Sequence, residues 1–425
     1  MEIDDDILEM WTVEGPSKSK VFIDHVKAPP DQDMPSSFSK QVTTSVTVHP
    51  DMLRLRAVYL QEHQLLVGEM TSLGQDVDRQ RRDLDIEELY MDQVLQQPVT
   101  CSEHEQSVRD LQERLANKRR SHKAAKIRFL QLKRNVLLQH QSEFATLPCL
   151  NGTLQLRRLL GRGASSEVWQ AHCFSTDSLV AVKLSANIQN ATVEFDNHKL
   201  VTAHSSRYAV PVHTLAHTTF HQREYAIMTM DCMNCDLAHY LETNGPCAPL
   251  LARHILHQLA LATTYMHENN MAHGDLKPGN VLVKDVSAVT VQLTDFHLAR
   301  PRYDPIDVGV NASPSYAPPE WYLLPTTADS CEAGTTYEKA DVWALGVIYY
   351  QSLFTRHPMG SFSSKHELQH NMRLYSSSHP TSTSSLHFPT AIPAMDMVIL
   401  ARCLHPDWTA RPTAMELLAM LSQLT

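Results

Sequence analysis

The chain has no apolar run long enough to cross a bilayer. The longest, VWALGVIYYQSLF at residues 342–354, falls short of the roughly 20 residues that a spanning helix needs. Basic charge is in deficit, with 37 Lys and Arg against 47 Asp and Glu and a formal net charge of −10. That balance gives no global pull toward nucleic acid or anionic membrane, so neither is expected as a partner. The opening residues, MEIDDDILEMW, are acidic where a secretion signal would be basic, and no small-residue cleavage site follows. An intracellular chain is expected, in which the eight scattered cysteines are reduced thiols. Cys232 and Cys235 form one CxxC without a second pair at zinc spacing, and the 24 histidines include no HExxH. A zinc site is therefore not expected.

What is present falls into three segments. Residues 1–50 are rich in Asp, Ser, Pro and Lys and show no sustained period, which predicts a mostly disordered tail. Within it, DDDILEMW has the composition of a short acidic-hydrophobic docking motif; the blander reading is a solvated tail.

Residues 51–145 change character and read as a helical coiled-coil oligomerisation segment. Tyr59, Leu66, Met70, Leu73, Val77 and Leu84 recur at three- and four-residue spacing. QQPVT at residues 96–100 breaks the pattern, and Ser102 with Glu105 makes a capping box. A second seam follows at Val108, Leu111, Leu115, Ala125, Phe129, Leu132 and Val136. Lys118, His122 and Gln139 fall on that seam and would weaken it or set its register. Neither helix can bury its seam alone. The partner is the other helix, a second chain or the C-terminal domain, and a homo-oligomer through residues 51–141 is the favoured reading. Residues 114–134 hold nine Lys or Arg and no acid, while Asp83 to Asp92 holds five acids and no base. Such runs bind acidic partners or pair across neighbouring helices.

Residues 150–425 read as one globular domain. Strand-like runs come first (LQLRRLLG, SEVWQAHC, LVAVKLS, EYAIMTM), and helical patterns dominate after about residue 235. Four motifs follow one another. LLGRGASSEVW (159–169) places Gly161 and Gly163 between two strands, where a missing Cβ lets backbone approach phosphate oxygens. VAVK places Lys183 in an apolar strand, with Glu194 in VEFDNHKLV as its candidate carboxylate and Asp196 as the fallback. MAHGDLKPGNVLV (271–283) carries H-x-D-x-K-x-x-N, the most specific pattern in the chain. LTDFHLAR (293–300) places Asp295 fifteen residues after Asn280.

This order and spacing resemble a protein kinase, an α+β bilobal fold with a β-rich small lobe and an α-rich large lobe. The resemblance implies roles. Lys183, held by Glu194, pairs nucleotide phosphates. Asp275 accepts the proton of the attacking hydroxyl, and Lys277 damps charge on the γ-phosphate, the serine/threonine form of the motif. Asn280 and Asp295 hold Mg²⁺. Leu160, Gly161, Gly163, Val168, Ala181, Met230 and Cys232 surround ATP, with Thr229 as gatekeeper. Ser313 contacts the catalytic pair, Asp341 anchors the catalytic loop, and Glu320 pairs with a buried Arg411.

Within the kinases, the chain resembles the Tousled-like family. The likeness rests on SEFATLPCLNGTLQLRRLLGRGASSEVWQA, HGDLKPGNVLV, YAPPEWYLLP, KADVWALGVIYYQSLFTRHPMG and LRLRAVYLQEHQ. It implies a nuclear serine/threonine kinase that oligomerises through upstream coiled coils and acts on histone chaperones of the anti-silencing-factor type in chromatin assembly. Five positions depart from the kinase pattern. Ala164 and Ser165 replace a Gly-Phe pair at the tip of the phosphate loop, Ser166 replaces a third glycine, Gly274 replaces an arginine that grips an activation-segment phosphate, and His297 replaces the glycine of Asp-Phe-Gly. A β-carbon at 297 would stiffen the turn or displace Asp295 if the backbone there needs glycine. Two readings follow: an active kinase, and a pseudokinase scaffold that binds a partner without efficient transfer.

Overall fold

The computed structural model describes residues 50–95, 102–147, 149–163, 165–203, 207–304, 313–323, 337–377, 388 and 391–423. The expected tail, except Pro50, lies outside these residues, as do QQPVT, Ala164 and the Ser102 side chain of the capping box.

Helices α1 (Pro50–Leu95) and α2 (Ser102–His140) form an antiparallel hairpin. Partners recede along α1 as α2 advances. Lys118 Nζ meets Glu87 at 2.5 Å, Arg119 meets Glu88 at 2.7 Å, and Ser121 meets Gln80. Further on, the Phe129 ring lies against Gly74, and His140 meets His63 at 2.7 Å. Val77, Met91, Leu111, Leu115, Ala125 and Val136 are buried along the seam. Ion pairs this open to solvent are screened and weak, so apolar burial holds the hairpin and the charges set its register. The acidic and basic runs therefore answer each other within one chain.

The small lobe is a five-stranded antiparallel sheet in the order β1-β2-β3-β5-β4. Its strands are β1 (Leu154–Arg162), β2 (Ser166–Cys173), β3 (Ser178–Ser185), β4 (Val212–Phe220) and β5 (Arg223–Asp231). One face packs on Phe144, Leu156, Trp169, Val182 and Ile227, and Phe144 arrives directly from the end of the hairpin. The other face carries α3 (Ile188–Thr202).

The large lobe follows: β6 (Cys235–Asp236), α4 (Leu237–Asn244), α5 (Pro249–Glu268), β7 (Met271–Ala272), β8 (Val281–Asp285), β9 (Thr290–Leu293) and β10 (Arg300–Pro301). Next come α6 (Glu320–Leu323), α7 (Tyr337–Phe354), α8 (Lys365–Ser377), α9 (Ala394–Cys403) and α10 (Ala414–Ser422). The bilobal α+β expectation is met. Helix α7 contains the long apolar run and is buried nearly all round, as a uniformly apolar helix must be in water. Gly346 is required at its crossing with the end of α9, where a β-carbon would lie 2.8 Å from Cys403 Cβ. No described helix is long and apolar enough to cross a membrane.

Candidate active site

The loop after β7 is fixed from beneath by Asp341 of α7. Its carboxylate accepts the backbone N–H of His273 at 2.8 Å and of Gly274 at 3.0 Å, and the ring N–H of His267 at 3.0 Å. His273 in turn donates from Nε2 to the Thr294 carbonyl at 3.1 Å and accepts the Asp275 N–H at Nδ1. Gly274 has φ +76°, and a β-carbon there would stand 2.9 Å from the Leu298 carbonyl oxygen. An arginine does not fit this backbone without displacement of the 295–298 turn.

Asp275 is 4% exposed and is met by three residues. Lys277 Nζ lies 2.6 Å from Oδ2, Asn280 Nδ2 donates to Oδ2 at 3.1 Å and to the Asp275 carbonyl at 2.8 Å, and Ser313 N donates to Oδ1 at 3.0 Å. Lys277 also donates to Ser313 Oγ at 2.8 Å.

The β8–β9 ladder pairs Val281 with Leu293, and Thr294 N donates to the Asn280 carbonyl at 3.0 Å. Antiparallel pairing thus brings Asn280 beside the turn that carries Asp295. Asp295 itself takes the left-handed conformation at φ 66°, ψ 65°. Phe296 is fully buried between the rings of His198 and His273, at 4.6 and 5.0 Å. Asn197 of α3 donates to the carbonyls of Phe296 and Ala299, both at 3.2 Å.

Lys183 links the lobes. Its ammonium lies 2.7 and 2.8 Å from the two Glu194 oxygens and 2.8 Å from Asp295 Oδ1. Glu194 is the partner; Asp196 on the same helix is exposed. Burial works against the Lys183 ammonium, but the two carboxylates outweigh it and raise its pKa. Burial likewise pushes Glu194 up, against the pull of Lys183, and the two-oxygen geometry is that of an ion pair.

His297 Nδ1 lies 3.0 Å from Asp295 Oδ1. The hydrogen bond to Asp295 raises the imidazole pKa above its ordinary value. Burial opposes ionisation of Asp295, but the His297 hydrogen bond and the Lys183 charge hold its carboxyl far below the usual range. The backbone of His297 is not left-handed; the unusual conformation belongs to Asp295. The strain anticipated from a β-carbon at 297 therefore does not arise there.

Leu160, Val168, Ala181, Met230 and Cys232 gather in one apolar cluster, roofed by β1 to β3 and closed below by Leu282 of β8. Gly161 pairs across the ladder with Val168, and Gly163 N donates to the Ser166 carbonyl at 2.8 Å. Thr229 is buried next to Val182, its hydroxyl 2.7 Å from Thr214 Oγ1, on the sheet face opposite the one where Met228 and Met230 join Ala181, so alternation along β5 turns it away from the nucleotide side and the gatekeeper expectation is not met. Farther out, Arg411 grips Glu320 with two bonds of 2.6 and 2.7 Å, both groups buried, and its guanidinium lies over the Trp343 ring.

The donor set suits a hard divalent cation. Asn280 uses its N–H groups on Asp275, which leaves its carbonyl oxygen; Asp295 has Oδ2 beyond the shared Oδ1. One carboxylate and one amide oxygen are the sparse protein ligation that Mg²⁺ accepts alongside phosphate and water. Among the described residues no cluster of three His, Cys, Asp or Glu offers a competing cage.

Sequence reading did not single out Leu282, Asn197 or His198. The last two were legible in principle, since positions three and four beyond Glu194 share its helix face.

The protein kinase domain family matches residues 154–421. The serine/threonine-protein kinase TOUSLED of Arabidopsis thaliana is 29% identical over 290 residues, which cover 64% of this chain and 40% of that protein. Serine/threonine-protein kinase tousled-like 2 of Mus musculus is 30% identical over 251 residues, covering 54% and 34%. MAP kinase-activated protein kinase 2 of Drosophila melanogaster is 28% identical over 218 residues, covering 50% and 58%. The chain spans less than half the length of the first two. With the domain matched over more than half of its length and the lobes built as described, the chain belongs to the protein kinase domain family.

Proposed function

We propose that the chain is a serine/threonine protein kinase of the Tousled-like kind that transfers the γ-phosphate of Mg-ATP to protein hydroxyls. The observation that carries this reading is the convergence on Asp275 of Lys277, Asn280 and Ser313, all within 3.1 Å of its carboxylate. Asp275 orients the substrate hydroxyl and takes its proton as the oxygen–phosphorus bond forms and the bond to the β-phosphate bridge breaks. Lys277 offsets charge on the transferring group. Lys183, oriented by Glu194, holds the α- and β-phosphates. Asn280 and Asp295 would hold Mg²⁺, which when bound neutralises phosphate charge.

Nuclear location, a role in chromatin assembly, and a histone-chaperone substrate of the anti-silencing-factor type belong to this proposal through the sequence resemblance. So does homo-oligomerisation through residues 51–141. Leu65, Ile86, Leu89 and Tyr90 stay exposed on α1 and are available to a second copy. Size-exclusion with light scattering on Ile86→Asp, Leu89→Asp tests that part.

The second reading, a scaffold without efficient transfer, is favoured by one observation: Asp295 Oδ1 is engaged by both Lys183 and His297. Transfer of labelled phosphate from Mg-ATP to a protein acceptor separates the two. The kinase reading expects serine and threonine labelling that Asp275→Ala abolishes. Equal labelling in the Asp275→Ala chain, or none in either, would leave only the scaffold.

A further inference from the structure

Gln139 interrupts the apolar seam of α2, yet it is 1% exposed. Its Oε1 accepts the backbone N–H of Leu159 at 3.1 Å. That amide lies on β1 where the ladder to β2 slips register, between Leu159 and Gly161. Three residues beyond Gln139, Ser142 Oγ donates to Glu167 Oε2 at 2.6 Å. Trp169 Nε1 donates to the same oxygen at 2.9 Å, and the other Glu167 oxygen lies 2.9 Å from Arg162 Nη2. Arg162 is the residue between the two loop glycines. Glu62 of α1 adds an ion pair with Arg157 at 3.4 Å. In the C-terminal half of α2, Gln131 donates to Glu242 of α4 in the large lobe. The end of α2 and the residue two beyond it therefore touch both strands that carry the glycine loop, and α2 also touches the lobe beneath it.

We infer that Gln139 and Ser142 are positioning residues for nucleotide binding, through which the helical hairpin holds the glycine loop at the height that phosphates require. The inference rests on the kinase reading for the nature of the ligand. Physically, Gln139 satisfies a buried amide at the point where β1 turns into the loop, and loss of that acceptor leaves the amide unpaired. Ser142 fixes Glu167, and Glu167 fixes the arginine inside the loop. A polar residue on the seam, unfavourable for helix pairing, is accounted for by this contact.

The test uses the full chain with Gln139→Leu, which keeps bulk but removes the acceptor, and with Ser142→Ala. Three quantities are read: the Kd of a fluorescent ATP analogue with Mg²⁺, kcat and KM for ATP, and amide exchange by mass spectrometry. Gln139→Leu is expected to raise Kd and KM about five- to tenfold. Its kcat stays within about twofold, and exchange accelerates in residues 154–163 while α5 and α7 exchange as before. Unchanged Kd, or kcat falling in step with Kd while exchange quickens throughout, overturns the inference. Should Gln139→Leu not fold, Ser142→Ala decides by the same criteria. A wild-type chain that binds nucleotide but transfers no phosphate sinks the kinase reading while the binding and exchange measurements still decide this one.

Discussion

His297 and Lys183 share a single acceptor, Asp295 Oδ1, at 3.0 and 2.8 Å. The residue that replaces the expected glycine is thus a second hydrogen-bond partner of the Asp295 carboxylate, on a backbone that tolerates a side chain. It orders Asp295 and also draws on the charge that a cation needs. His297→Gly is expected to lower the Mg²⁺ concentration for half-maximal phosphate transfer by about three- to tenfold, the net worth of one ordinary hydrogen bond. Magnesium titration of both chains at fixed ATP checks it; an unchanged or higher requirement would count against the competition.

Glu320 and Arg411 form a two-bond ion pair that is almost fully removed from water. Arg411→Leu leaves the glutamate buried and alone, which typically costs about 3–5 kcal/mol. Thermal or urea unfolding should show that loss, and the Glu320→Gln, Arg411→Leu double variant should recover part of it. An Arg411→Leu chain as stable as the parent would contradict the pairing.

Two histidines, one buried and one half-buried, make stability fall in mild acid. Burial lowers the His198 pKa to about 3 and the His357 pKa to about 4, from 6.5. His357 needs its neutral form, since Nε2 donates to the Ser315 carbonyl while Nδ1 accepts the Met359 N–H. Below pH 6.5 the unfolded chain binds protons that the folded one does not. The stabilisation is complete above 6.5 and declines by about 1.4 kcal/mol per pH unit per histidine as pH falls toward 4. Melting temperature between pH 7 and 5 should drop, and His198→Leu should flatten the slope by one proton.

Gly274 sits at φ +76° against the Leu298 carbonyl. Gly274→Arg should destabilise the fold by about 1–3 kcal/mol and lower activity, not restore control by activation-segment phosphate. Melting curves and the rate ratio of phosphatase-treated and untreated protein measure both. A gain in either would show that the loop accommodates the side chain.

The bilobal fold and the polar residues around Asp275 were legible because kinase chemistry ties each residue type to a short, ordered motif. Asn280 and Asp295 could be named from spacing, and the β8–β9 ladder explains why fifteen residues return the chain to the same place. Periodicity identified the two helical seams but not what covers them. That depends on complementary charges, Glu87 to Lys118 and Glu88 to Arg119, whose pairing becomes definite only once the helices lie antiparallel. Gln139 read as a flaw in a seam because its partner, the Leu159 amide, belongs to a strand not yet in the picture. At 297 the sequence suggested backbone strain, whereas the physical event is a side-chain bond to Asp295.

The bridge from Lys183 to Asp295 has a thermodynamic corollary. An anion that draws the ammonium away frees the carboxylate, and a cation that captures the carboxylate frees the ammonium. Each arrival breaks the same internal pair, so whichever comes second meets a partner already released. Nucleotide and metal must therefore strengthen one another by equal factors, a reciprocity that linkage imposes on two ligands competing with one shared contact.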